Sequence, residues 1–294
     1  MSEYILSCES TVDLSREHLE RRNISYICYP YLLDGVPHRD DFGETISYEE
    51  FYQAMEQGAE TKTAQINAGE FEAYFEPFLR EGKDIVHLCL SSGITSVLNS
   101  AKLARELLKE RYPERKIYLI DSLAASSGFG LLVDQLADLR DQGMDATSLT
   151  QWAEKNKRRV HHWFFSEDLK YYIRGGRISK SAGMVGTMLG ICPLLNVSAD
   201  GHLIPKEKIR SKKKAIAAIV GKMAQFADDR TAYHKKCYIS YSGGPETAQK
   251  VAEQVRETFL HLQELELYHI GTIIGSHSGP GTVALFFWGD ERVS

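Results

Sequence analysis

The sequence predicts an α/β protein whose first half is built on a largely parallel sheet, and two features carry that expectation. Apolar runs at residues 4–8, 85–90 and 117–120 have the length of buried strands, and each ends in a cluster of Ser, Thr or Asp. Helical patterns follow these runs, and strands that alternate with helices pair in parallel, because a parallel partner is reached only through a long crossover. Ligands of such sheets gather beyond the carboxyl ends of the strands, where the polar clusters fall.

Taken in order, Ser47-x-x-Glu50 and Asn67-x-x-Glu70 have the form of capping boxes ahead of amphipathic segments, and Ser148-x-x-Gln151 has the same form. The charge run Lys155-Asn156-Lys157-Arg158-Arg159 separates this pattern from a different one. It places a domain boundary near residues 158–168, giving units 1–160 and 161–294. Beyond it, Trp163-Phe164-Phe165 leads to a Gly-rich stretch at 171–179, an apolar run at 189–197 and a turn at Ala199-Asp200-Gly201. The basic segment 206–214 then reads as the solvated start of an Ala/Ile helix, or as a docking face for an acidic partner. Residues 237–241 read as a strand, and Pro245 as the first turn of a helix running to about Leu260. Residues 273–287 read as an apolar run, a tight Gly/Ser/His/Pro loop and a second apolar run, a pattern that also fits a plain turn between two strands.

With 43% hydrophobic residues, the 294-residue chain can bury substantial cores. Its 35 Lys and Arg against 40 Asp and Glu give a net charge of -5, which argues against a nucleic-acid binder. Cys8, Cys28, Cys89, Cys192 and Cys237 are scattered without C-x-x-C spacing, so neither a zinc ribbon nor a redox dithiol is expected, and most read as packing residues. No basic, apolar leader opens the chain and no apolar run approaches a membrane span, so a cytoplasmic protein without stable membrane insertion is expected.

Four loops carry hydroxyls at positions where a helix start offers unpaired N–H groups: 61–65, 90–96, 121–130 and the loop around His277. Each suits a carboxylate or phosphate, though taken singly the commoner reading is plain helix capping or a turn. A phosphate-binding G-x-x-x-x-G-K-[ST] loop is not matched by residues 275–282, and a G-x-S-x-G elbow is not matched because His277 sits at the centre of Gly275-Ser276-His277-Ser278-Gly279. Ser211-x-x-Lys214 lies in a charged run with no companion motif, and the histidines lack metal-ligand spacing. The sequence thus assigns no catalytic residue and no metal ligand. Gly175-Gly176-Arg177 either projects a guanidinium toward an anion or partner, or is a turn with a surface arginine.

Seven motifs in order along the chain resemble the DegV family of bacterial fatty-acid-binding proteins. They are Glu9-Ser10-Thr11-Val12-Asp13-Leu14, Thr63-Ala64-Gln65-Ile66-Asn67, Ser91-Ser92-Gly93-Ile94-Thr95-Ser96-Val97, the Asp-Ser-x-x-x-Ser-x-Gly-x-Gly from Asp121 to Gly130, residues 172–179, Gly190-Ile191-Cys192-Pro193-Leu194-Leu195, and residues 275–281. The resemblance implies two α/β domains, the first with a mainly parallel and the second with a mixed sheet, and one long-chain fatty acid in a tunnel between them. No cofactor is implied. It also implies a carrier without chemistry of its own, which presents the acid to a partner fatty-acid kinase for conversion to an acyl phosphate. Carried onto this chain, the carboxylate would meet Thr63, Ser92, Gly93 and His277, with Arg177 at the rim or against the kinase. Burying about sixteen carbons at roughly 0.8 kcal/mol per CH2 gives on the order of 12 kcal/mol before the costs of binding, so the tail would dominate affinity and the donors would fix orientation. Ala64, Ile66 and Thr95-Ser96-Val97 depart from the family pattern, as does Glu9, which stands where the family has Asp. A Ser/His acyl hydrolase, or a transferase for a phosphorylated ligand, is the rival reading of the same loops.

Overall fold

The computed structural model describes residues 4–179 and 191–293. The chain opens with β1 (Tyr4–Glu9), a 3-10 turn at Ser10–Val12, α1 (Arg16–Arg21) and β2 (Ser25–Ile27). A hairpin of β3 (Pro30–Leu33) and β4 (Val36–Arg39) follows, then α2 (Tyr48–Glu56), β5 (Thr61–Thr63) and α3 (Ala68–Arg80). Next come β6 (Asp84–Cys89), α4 (Val97–Arg111), β7 (Ile117–Asp121), α5 (Ser126–Asp141) and α6 (Ala146–Asn156).

All three expected strands form, and with β2 they make a wholly parallel sheet of order β2-β1-β6-β7. Strand order reverses between β1 and β6, which opens a crevice at their carboxyl ends. β5 pairs with β3 in a separate antiparallel sheet of order β4-β3-β5, setting Thr63 opposite Tyr31. The capping boxes at Ser47 and Asn67 are both complete. The third is not a box: α6 is capped by Asp145, whose carboxylate accepts from the Thr147 and Ser148 amides. Asp at this position accepts from two free N–H groups and meets the positive end of the helix, so it displaces Ser148 into the first turn.

The second half contains β8 (Val160–Phe165), α7 (Lys170–Arg174), β9 (Ile191–Val197), β10 (Leu203–Arg210) and α8 (Lys212–Phe226). It closes with β11 (Lys236–Tyr241), α9 (Glu246–Thr258), β12 (Glu264–His269), α10 (Thr272–Ser278) and β13 (Val283–Trp288). Its sheet is mixed, of order β10-β9-β8-β13-β11-β12, with the β11–β12 pair parallel and the others antiparallel. Leu189 and Gly190, part of the apolar run and of the sixth motif, lie outside the described residues.

Two expectations are corrected here. Residues 206–210 are not a helix start but part of the edge strand β10, which pairs with β9 and carries a register shift between Pro205 and Glu207; exposed lysines and a proline suit a sheet edge. The first apolar run at 273 is not a strand but the short helix α10, so His277 stands on a helical turn and the loop proper begins at Gly279.

α5 joins the two halves. Twelve of its sixteen residues are buried, as expected of a helix covered on all sides. A side chain at Gly128 would collide with His162 and Phe286 of the mixed sheet, and one at Gly130 with Leu14 and the Val12 carbonyl. These two glycines let the helix sit tightly between the strands of the second sheet and the turn after β1. One apolar core therefore runs from Leu6, Val86 and Ile120, through Phe129 and Leu132, to Phe165, Ile239 and Leu285. Near the carboxyl terminus the buried Arg292 donates to the carbonyls of Ser198 (2.8 Å) and Leu123 (2.8 Å), tying the last residues to both halves.

Candidate functional site

A cavity of about 350 Å³ lies between the halves, within the size range of small-molecule sites. The first half contributes Tyr29, Thr63, Leu90 and Ile94 to its wall; the second contributes Phe164, Ile273, His277 and Phe286. The surface facing the cavity is mainly apolar, with polar side chains interspersed.

His277 is aimed by the way α10 is held. At the start of that helix the Gly271 amide donates to Asp13 Oδ1 (3.0 Å), while the amide and hydroxyl of Thr272 both donate to Asp40 Oδ1 (3.0 and 2.7 Å). Tyr52 adds a bond from its hydroxyl to the Ile270 carbonyl (2.7 Å). Two buried carboxylates and a tyrosine from the first half thus fix a helix of the second, and its last turn carries His277 to the end of β5. There Thr63 Oγ1 lies 2.7 Å from His277 Nε2. Gly175 makes room for the ring: a Cβ at that position would stand 2.2 Å from Nδ1.

The electrostatics around this pair are positive and unsatisfied. Burial, with Arg177 and Arg174 nearby, pulls the His277 pKa from 6.5 to about 4, so the ring is neutral at pH 7. Its Nδ1 is buried without a hydrogen-bond partner among the described residues, and so is Nε of Arg177. Arg177 also lines the cavity, is half-buried, and spends one donor on the Gly175 carbonyl (2.5 Å). No carboxylate pairs with it among the described residues, and burial lowers its pKa. Arg177 Nε, a buried donor with no acceptor in reach, and His277 Nδ1, which carries the proton when the Thr63 hydroxyl donates to Nε2, mark a place that an anion satisfies.

The residues expected at the head group are only partly brought together. Thr63, His277 and Arg177 line the cavity; Ser92 is exposed, its amide donating to Asp121 Oδ1 (3.0 Å), and Gly93 lies against the backbone of Gly201. From the same loop Ile94, Thr95 and Ser96 face the cavity instead, with Ser96 Oγ donating to Gln65 Oε1 (2.7 Å). Sequence reasoning also passed over Tyr29, His162 and Ser126 of the cavity wall. Ser126 lay in a motif already singled out, whereas an isolated Tyr29 offered no signal. The chain of Ser, His and acid that a hydrolase needs is not formed around His277: the hydroxyl at Nε2 belongs to a threonine, and no described acid meets Nδ1.

Comparison with known proteins gives the family and the fold. The model of the DegV family, described as one of uncharacterised proteins, matches residues 6–290. A DegV domain-containing protein of Clostridium perfringens is 30% identical over 292 residues, covering 99% of each chain. Among solved structures, a fatty-acid-binding DegV family protein from Thermus thermophilus superposes with a TM-score of 0.86 at 25% identity, over 98% of this chain and 99% of that one. The fatty acid kinase B3 protein of Streptococcus pneumoniae, loaded with linoleic acid, does so at 0.84 and 20% identity, over 99% and 100%.

Proposed function

Because the chain belongs to the DegV family, we propose that it is a carrier that holds one long-chain fatty acid and presents its carboxylate to a partner fatty-acid kinase. In this reading units 1–160 and 161–294 clasp the acid between them. Its tail occupies the apolar cavity and its carboxylate meets the Thr63–His277 pair, with Arg177 supplying the compensating charge. Thr95 and Ser96, from the loop that also bears Ser92 and Gly93, offer further hydroxyls on the wall. The protein does no chemistry on the acid; the kinase transfers the phosphoryl group.

The observation that carries the reading is the pairing of an apolar cavity with buried nitrogens of His277 and Arg177 that have no partner among the described residues. A hydrocarbon tail matches the first and a carboxylate the second. Native mass spectrometry of gently purified protein tests it: a bound long-chain acid is expected. Empty protein that also takes up neither palmitate nor oleate overturns it. The kinase step is tested separately, by acyl phosphate formation when loaded protein is mixed with a fatty-acid kinase and ATP.

A further inference from the structure

At the carboxyl ends of β1 and β6, under the cavity, lies a second polar cluster that the lipid reading does not use. Glu9, His87 and Cys89 are each 0% exposed, and one ligand atom from each lies within 4.8 Å of the others. Glu9 Oε2 is fully engaged, accepting from the Tyr29 hydroxyl (3.0 Å) and the Leu90 amide (2.9 Å). Among the described residues its other oxygen, Oε1, and His87 Nε2, 3.9 Å away, lack a conventional hydrogen-bond partner, the Cys89 thiol making only a weak contact to the Glu9 carboxylate. Two buried polar atoms that face each other without bonding are costly unless something between them satisfies both.

The surroundings orient these atoms as they would metal ligands. His87 Nδ1 lies 2.9 Å from Ser7 Oγ, which is itself 2.8 Å from the Tyr74 hydroxyl, and Phe71 and Phe75 pack edge-on against the ring. When Nδ1 carries the proton and donates it to Ser7, Nε2 turns a lone pair toward Glu9 and Cys89. We propose that Glu9, His87 and Cys89 form a buried site for one zinc ion. Oxygen, nitrogen and sulfur together suit zinc rather than magnesium or calcium. Binding releases the Cys89 thiol proton to solvent, and one carboxylate plus one thiolate neutralise the dication, as a buried setting requires. Three protein ligands leave the fourth tetrahedral position to a water. Tyr29 and Leu90, which hold Glu9, also line the cavity, so the ion would brace the cavity floor.

The site is tested on the full chain, independently of its lipid. Zinc is measured on protein purified without chelator, and reduced, chelator-stripped protein is titrated with cobalt(II). About one zinc per chain is expected, with a thiolate-to-cobalt charge-transfer band that saturates at one equivalent. Cys89→Ala removes the band. Ser7→Ala, which loses only the orienting bond to His87, weakens cobalt binding about tenfold. Val86→Ala, an equally buried position on the same strand, leaves binding unchanged. The proposal is overturned if folded, reduced wild-type protein takes up no cobalt, which is the result for a water between Glu9 and His87. It is equally overturned if the band survives Cys89→Ala and disappears in Cys28→Ala. Should Cys89→Ala not fold, the wild-type titration and Ser7→Ala decide. Native mass spectrometry of bound acid reads the carrier function separately, so neither reading falls with the other.

Discussion

Replacing His277 with Ala separates what holds the fatty acid from what aims it. The imidazole meets Thr63 at 2.7 Å and carries a buried nitrogen free to serve a carboxylate. A hydrogen bond to a charged group contributes about 1.5–3 kcal/mol, so its loss weakens binding roughly 10- to 100-fold. A sixteen-carbon tail contributes on the order of 12 kcal/mol before binding costs, which that loss leaves largely intact. His277→Ala protein is therefore expected to emerge from purification still carrying acid, while displacement of a fluorescent fatty acid reports the higher Kd. Thr63→Val shows a smaller loss, and the double variant loses less than the sum, because the two side chains share one bond. An unchanged Kd in His277→Ala would place the carboxylate elsewhere. A folded variant unable to load any acid would refute the division of labour between tail and donors.

Further outcomes follow from the same geometry. Gly175→Ala puts a methyl group 2.2 Å from His277 Nδ1, so it should displace the ring and raise the Kd toward that of His277→Ala, read by the same displacement assay. The unfolded chain protonates His277 near 6.5 and the folded chain only near 4, so this residue costs stability as pH falls through that interval. Burial pushes the Asp13 and Asp40 carboxyls up, which acts in the opposite sense. Urea unfolding of wild type against His277→Gln isolates the histidine: the variant should lose less stability between pH 6.5 and 4, and added fatty acid should shrink the difference. Arg292→Ala removes a buried donor from the Ser198 and Leu123 carbonyls and should cost about 3 kcal/mol, a fall of roughly 5 °C in Tm by calorimetry. Asp145→Ala should lower the midpoint of chemical denaturation and Ser148→Ala clearly less, because Asp145 is the cap of α6.

The parallel sheet was legible because β1 and β6 are buried on both faces and β7 is at least half-buried along its length, so they are written as apolar runs broken only by Ser7 and His87. Ser47 and Asn67 were legible for another reason: a capping box is local, and both of its bonds close within four residues. β10 was not, since an edge strand keeps its lysines in water and gains its pairing from β9, a partner that no local pattern announces. α10 was hidden because its anchors, Asp13 and Asp40, lie in a distant part of the chain. Motif order pointed to Thr63, His277 and Arg177, all of which reach the cavity. It could not tell which face of the loop after β6 turns inward, and there the wall is made by Ile94, Thr95 and Ser96 while Ser92 is left in solvent.

The placement of α5 bears on how the molecule comes apart. A helix buried on nearly every side, serving the turn after β1 with one glycine and the mixed sheet with another, leaves neither half with a finished surface of its own. Separating the halves would expose Phe129, Leu132 and Phe286 together. Unfolding should accordingly be a single cooperative event, despite a length at which independent steps are common. A cavity enclosed by both halves then exists only in the intact molecule, and a bound acid leaves through local openings of its wall or with the loss of the whole fold.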